Sequence, residues 1–128
     1  MLELAQHHVA GQPVQGRLIA ERHGIPSPYL VQIMQDLKRA SLVSSTRGSA
    51  GGYQLTRPAE EITLAEVLEV VEGPTESTTC AAAASPMAQV LHEVCHELST
   101  TRHDMLKRIT LADLLARSTA ATGPMWYI

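Results

Sequence analysis

An arginine at position 47 opens a short segment, residues 47–53, in which three of the seven residues are glycine. Glycine is favoured where a backbone turns at positive φ or approaches another surface closely. An arginine on the tip of such a turn has the charge and the reach to enter a narrow, electronegative minor groove. The segment therefore predicts a hairpin tip that contacts duplex DNA, with Thr46, Arg47 and Gly48 as its candidate DNA-binding residues.

A second set of polar residues lies on one face of a predicted helix. Apolar residues recur at i, i+3, i+4 and i+7, a helical spacing, and are Leu30, Ile33, Met34 and Leu37. At about 100° per residue, the opposite face carries side chains that can hydrogen-bond base edges and phosphates: Tyr29, Gln32, Gln35, Asp36 and Arg39. We interpret it as a recognition helix in which Tyr29 and Gln32 contact bases and Arg39 contacts phosphate. Ser27 is a further candidate at its start.

Two helices joined by a short turn must position this face. Residues 14–23 are predicted to form the first, ended by Gly24 in the left-handed conformation. Ser27 is the predicted N-cap of the second, with Pro28 at its first position. This order predicts a helix-turn-helix, which places the second helix in the major groove. Predicted strands at 42–45 and 53–56 form a hairpin around the glycine-rich segment and complete a winged helix.

The polar helix face alone would be interpreted as an ordinary solvated surface, but the wing that follows it favours DNA. Charge agrees with this interpretation, since the formal net charge of −3 is divided unevenly along the chain. Residues 1–57 carry +3 and residues 58–128 carry −6. A basic module that faces DNA, followed by an acidic module that does not, fits this asymmetry, and chance clustering is the alternative.

The second half is predicted to contain two helices and a long connection. Thr63 and Glu66 form a predicted capping box at the start of a helix over 62–73, and residues 74–86 have no sustained pattern. A similar helix start at 109–115 is interpreted as shared capping chemistry, not as a repeat. Between them, a long helix carries apolar or small residues at alternating spacings of four and three: Met87, Leu91, Val94, Leu98, Thr101 and Met105. This seam predicts a homodimer, with packing inside one chain as the alternative.

Other function classes have little support in the residues. No apolar run approaches the roughly 18 residues needed to cross a bilayer, and the first residues lack the features of a signal peptide, so a cytoplasmic protein without membrane contact is expected. We find no phosphate loop, closed zinc motif or nucleophile elbow, so no enzyme is predicted. A protein-interaction module without DNA binding would explain the long helix, but not the basic half or the arginine-tipped wing.

In its order of motifs the chain resembles the Rrf-two family of bacterial winged-helix regulators. The resemblance rests on the helix-turn-helix and on three later segments: residues 47–55, 57–64 and 71–73. It implies a dimeric transcription regulator, often a repressor, whose recognition helix reads the major groove while the wing arginine, matched by Arg47, enters the minor groove. Tyr29 and Gln32 fall at matching recognition-helix positions. The chain begins inside the first helix of the family pattern, which normally starts about a dozen residues earlier.

Cluster-binding members of that family carry three cysteines in the loop and at the start of the long helix, and commonly a histidine after the last. Here the loop has Cys80 alone, His92 matches the histidine, and Cys95 falls at a tryptophan position, where burial in the seam is expected. An iron-sulfur cluster needs about four ligands. We therefore predict a regulator without a resident cofactor. A two-iron two-sulfur cluster with Cys80, His92 and Cys95 as candidate ligands, or a thiol switch at Cys80, is the alternative.

The sequence thus predicts a mainly α fold with a small β-hairpin wing: a winged helix-turn-helix followed by a long dimerisation helix. The DNA-binding domain is expected at residues 1–73, a loop at 74–86, and the dimerisation and C-terminal helices at 87–128. The expected function is that of a homodimeric, sequence-specific regulator, in most cases a repressor, that binds a palindromic operator in double-stranded DNA.

Overall fold

A computed structural model describes residues 1–73 and 85–121. The helices in these ranges are α1 (Leu2–His8), α2 (Gly16–His23), α3 (Ser27–Arg39), α4 (Leu64–Glu72), α5 (Pro86–Arg108) and α6 (Leu111–Ala121). The strands are β1 (Val43–Thr46) and β2 (Gly52–Leu55), and Ala59–Glu61 form one 3₁₀ turn. This confirms the prediction of a mainly helical fold with a small hairpin. Within the described ranges, no helix is both long and apolar enough to cross a membrane.

One apolar core holds the helix-turn-helix, the hairpin and the last helix together. Its largest fully buried side chains come from α1, α3, the segment before α4, and α6: Leu4, Met34, Leu37, Ile62 and Leu111. The apolar stripe predicted for the recognition helix is confirmed at Leu30, Met34 and Leu37, which are buried. Leu111 belongs to the same core, so α6 packs with the winged-helix body although it follows α5 in the chain.

The turn between α2 and α3 follows the prediction at Gly24, but the predicted cap of α3 is wrong. Gly24 has φ 62°, and the next amide, that of Ile25, donates to the Ala20 carbonyl at 3.0 Å. The helix α3 starts at Ser27, whose side chain makes no capping hydrogen bond. The reason is that the amide of Leu30, which a Ser27 cap would use, donates to the Pro26 carbonyl at 3.0 Å. Pro26 is therefore the N-cap residue.

The hairpin is anchored to the segment before α2 by backbone contacts. β1 and β2 are antiparallel, with Val43 opposite Leu55 and Thr46 opposite Gly52. Tyr53 also exchanges two hydrogen bonds with Val14, at 2.8 and 2.9 Å. A Cβ atom on Gly52 would lie 2.5 Å from the Val14 carbonyl carbon and oxygen, so only glycine allows this approach. The wing and the helix-turn-helix are thus one body.

The starts of α4 and α6 pair with each other. Each has a capping box, Thr63 with Glu66 and Thr110 with Asp113, as the shared sequence predicts. In addition, Leu64 donates to Ile109 at 2.8 Å and Leu111 donates to Ile62 at 2.9 Å. Burial opposes ionisation of Glu66, but the Thr63 amide and the Arg57 guanidinium outweigh it, and the net pKa of Glu66 is lowered. This junction fixes the end of α5 on the DNA-binding body.

The long helix α5 leaves its apolar side chains uncovered. None of its residues is buried, and exposure reaches 86% at Met87. Its link to α4 is largely polar, since Arg102 donates to Glu72 at 2.9 Å. Cys95 is exposed, contrary to the expected burial, because no described segment of the chain covers that part of α5. The seam predicted for this helix is therefore free to pair with another surface.

We expect Gly52→Ala to destabilise the fold by about 3 kcal/mol, the upper part of the usual overpacking range. The new Cβ would collide with the Val14 backbone. Unfolding in urea measures the change, and hydrogen exchange should show faster exchange at the Val14 and Tyr53 amides.

Gly11→Ala is the control, because Gly11 has φ 64° and open space around it. It should cost about 1 kcal/mol from its left-handed backbone alone and leave exchange at Val14 and Tyr53 unchanged. An equal or smaller loss for Gly52→Ala would contradict the assigned role of Gly52.

Candidate nucleic-acid interface

The outward face of α3 carries the predicted base-contacting side chains in accessible positions. Tyr29 is 59% exposed, and Gln32 and Arg39 are also exposed. Ser27 is exposed in the first turn of the same helix. Helices of this motif enter the major groove with their N-terminal half, where Tyr29 and Gln32 lie.

One carboxylate organises part of this face. Asp36 Oδ1 accepts a hydrogen bond from Arg39 at 2.9 Å and a longer one from Gln32 Nε2 at 3.4 Å. These contacts restrict the rotamers of two residues that are candidates for DNA contact. They also place a negative charge where phosphates would approach. Asp36 is therefore a positioning residue for Gln32 and Arg39, a role that sequence reasoning did not give it.

The tip of the wing presents an unpaired cation. Thr46, Arg47 and Gly48 are all exposed, and Gly48 has φ 111°, which favours glycine. Within residues 1–73 and 85–121, the Arg47 guanidinium makes neither an ion pair nor a hydrogen bond. No residue in these ranges therefore occupies its hydrogen-bond donors. This agrees with the position predicted for a groove-inserting arginine.

Two side-chain contacts that the sequence did not reveal connect the wing with the helix-turn-helix. Lys38 Nζ, near the end of α3, donates to Ser45 Oγ on β1 at 2.7 Å. Gln15 Nε2, just before α2, donates to the Ser49 carbonyl in the wing tip at 3.1 Å. Both contacts join residues at least seven positions apart in the chain, so no local pattern could indicate them. One contact connects the wing tip to the segment before α2, and the other connects β1 to the recognition helix.

The basic residues of α2 are partly neutralised by the protein itself. Arg22 pairs with Glu3 of α1, and His23 lies 3.3 Å from the same carboxylate. Burial opposes ionisation of Glu3, but these hydrogen bonds prevail and the net pKa of Glu3 is lowered. Arg17 has a loose 3.7 Å contact with Glu21, and both side chains are well exposed. The surface offers fewer free cations than the charge count suggests.

The residues considered as metal ligands do not form a site in the described structure. His92 and Cys95 are both exposed on α5, while Cys80 lies outside the described residues. Within the described ranges, no three or more His, Cys, Asp or Glu side chains converge in a way that could hold a metal ion. A cluster needs about four ligands, and the whole chain has two cysteines. The donor set therefore does not fit an iron-sulfur cluster.

Comparisons with known proteins find one family of regulators. The family model named Rrf2, described as an iron-dependent transcriptional regulator, matches residues 1–117. The HTH-type transcriptional regulator IscR of Photobacterium profundum is 36% identical over 118 residues, covering 90% of this chain and 68% of that relative. The structure of T. potens IscR has a TM-score of 0.79 at 33% identity and covers 98% of this chain and 85% of that one. CymR, the global cysteine regulator of B. subtilis, has a TM-score of 0.77 at 29% identity, with coverages of 91% and 87%.

Proposed function

The chain belongs to the Rrf2 family of helix-turn-helix transcriptional regulators, and we propose that it represses transcription by binding a palindromic operator as a homodimer. One observation carries the DNA-contact part of this proposal. The accessible face of α3 and Arg47, which has no partner among residues 1–73 and 85–121, lie in one folded unit, in which Lys38 of α3 donates to Ser45 of β1. Such a unit can contact the major groove and the adjacent minor groove together. A regulator acting on the bacterial chromosome would work in the cytoplasm.

The proposed roles follow from the chemistry of each side chain. Gln32 and Tyr29 contact base edges, because they lie on the exposed N-terminal half of α3. Arg39 contacts a phosphate and exchanges its Asp36 partner for it. Arg47 enters the minor groove. Three more residues contact the sugar-phosphate backbone through hydroxyl or amide groups: Ser27, Thr46 and Gly48.

We propose that residues 1–73 contact DNA and that α5 pairs with the α5 of a second copy. The seam side chains are exposed over most of the helix, with Leu91 at 65% and Leu98 at 66%. An apolar surface of this length requires a partner, and two copies would present two recognition helices to two half-sites. Twofold symmetry in the protein then implies palindromy in the operator. Binding at such an operator would block transcription, which is the basis for proposing a repressor.

A protein-interaction module without DNA binding is the alternative of another class. It accounts for the exposed seam of α5. It does not account for an exposed arginine on the wing that has no partner among the described residues and lies beside a polar helix face. Salt discriminates between the two, because binding that neutralises several phosphates weakens steeply with salt concentration and apolar docking does not.

Removal of the wing arginine tests its proposed contact with the minor groove. Arg47→Ala should weaken operator binding about tenfold when the flanking sequence is A·T-rich and much less when it is G·C-rich, because narrow minor grooves attract arginine most strongly. Fluorescence anisotropy with both duplexes over a salt series measures the change. Arg108→Ala, which removes the same charge from α5, is the matched control and should bind normally. Equal losses on both flanks would mean that Arg47 contacts only phosphate.

A charge placed in the apolar seam of α5 tests the proposed dimer. Leu98→Glu should give a folded monomer in sedimentation equilibrium, because the side chain is exposed in the single chain and its charge would be buried in the pair. Affinity for a two-half-site duplex should fall towards that for a single half-site. Gln89→Glu adds the same charge at an exposed α5 position outside the seam and should remain dimeric. A dimeric Leu98→Glu protein would exclude this seam as the interface.

Iron and sulfide content tests whether the protein holds an iron-sulfur cluster. The protein purified without oxygen should be colourless, free of stoichiometric iron and sulfide, and able to bind DNA, because the donor set falls short of four ligands. Visible absorption with iron and sulfide analysis checks this. A brown protein that loses its colour in Cys80→Ala or His92→Ala would instead support the redox-sensing alternative. If the protein is colourless but its DNA binding depends on Cys80 oxidation, a thiol switch is supported.

A further inference from the structure

The recognition helix exposes a valine among its polar side chains. Val31 is 46% exposed, and Tyr29 is the other large apolar side chain that α3 leaves exposed. Val31 lies about 100° from the centre of the buried stripe formed by Leu30, Met34 and Leu37, so it is not a core residue. Sequence reasoning placed it on neither face.

Helix stability does not explain a valine here. A β-branched residue at an exposed helical position is less favourable than alanine, because its χ1 freedom is lost against the preceding turn. An exposed valine also gains nothing from contact with water. Burial against an apolar group outside the chain would compensate for both costs.

The neighbours of Val31 indicate where that group lies. Val31 is one residue before Gln32 and two turns before Lys38, the lysine that reaches Ser45 on the wing. It therefore sits in the N-terminal half of α3, on the flank that faces the hairpin. Residues in this half are the ones that approach base edges when such a helix occupies the major groove.

Among base edges in the major groove, the thymine 5-methyl group is the apolar one. We propose that Val31 packs against the 5-methyl group of one thymine in each operator half-site and makes the protein select thymine at that position. The inference rests on the proposed function, because it requires α3 to lie in the major groove. It adds a specificity-determining contact that involves no hydrogen bond.

Uracil provides the test, because it removes only the methyl group and keeps every hydrogen-bonding group of thymine. An operator is first selected from a pool of randomised duplexes with the full-length protein. Each thymine of the selected site is then replaced by uracil, one position at a time. One thymine in each half-site should show an effect, and replacing either of these two alone should weaken wild-type binding about fourfold, as expected from losing one buried methyl group.

Two variants assign that effect to Val31. Val31→Ala should bind the thymine and uracil duplexes equally at that position, whereas Val71→Ala, which shortens a valine that is 48% exposed on α4, should keep the fourfold difference. If no thymine shows a methyl effect in the wild-type protein, the inference is overturned without reference to any variant. If Val31→Ala keeps the difference, the methyl group is contacted by another residue.

Failure of the inference and failure of the proposed function are distinguishable. A protein that selects a clear operator but shows no Val31-dependent methyl effect remains a DNA-binding regulator, and the thymine contact alone is wrong. A protein that enriches no sequence and binds all duplexes weakly contradicts the proposed function and the inference with it.

Discussion

The pair of backbone hydrogen bonds between Val14 and Tyr53 is the contact on which the DNA-facing geometry depends. Through it, the segment before α2 pairs with β2 on the side of that strand opposite β1. Because Gly52 has no Cβ, the two backbones can meet, and the Tyr53 ring lies so close to Gly16 that a Cβ atom added there would be 3.0 Å from a ring carbon. Without this junction the hairpin would depend mainly on the buried side chains of Val43 and Leu55 for its attachment to the helices. With it, the position of Arg47 is set by the helix-turn-helix.

A second backbone junction connects α5, the helix proposed to form the dimer, to the same body. The segments that start α4 and α6 exchange hydrogen bonds through Ile62, Leu64, Ile109 and Leu111, directly after α5 ends. If two copies pair through α5, the path of α5 therefore determines where the recognition helix of each copy points. In a pair of chains joined through α5, any shift in the crossing of the two helices would change the separation of the two recognition helices. Half-site spacing would depend on this junction.

Local patterns were sufficient to predict the helices, the glycine turn at Gly24, the capping box of Thr63 and Glu66, and the exposed arginine of the wing. Each of these depends on residues close together in the chain. The Val14–Tyr53 pairing and the Lys38–Ser45 contact depend on the relative placement of whole elements, which spacing does not encode. The predicted Ser27 cap was wrong for a related reason. The backbone amide of Leu30 donates to the Pro26 carbonyl and not to the Ser27 side chain, and residue preferences do not indicate which of these two acceptors within one turn is used.

The proposed DNA-contacting residues are of two kinds: some already bind a carboxylate of the protein, and Arg47 does not bind one among the described residues. Arg39 and Gln32 are held by Asp36, so a phosphate or base that takes either donor must replace an existing hydrogen bond and approach a carboxylate. The phosphate proposed for Arg39 is present on any duplex, whereas the base edge proposed for Gln32 depends on the sequence. Arg47 has no such competitor among the described residues and can bind any duplex through charge alone. In the proposed complex, the wing arginine would thus contribute most to the first, non-specific association with DNA. The face of α3 that Asp36 organises would contribute most to the discrimination between DNA sequences.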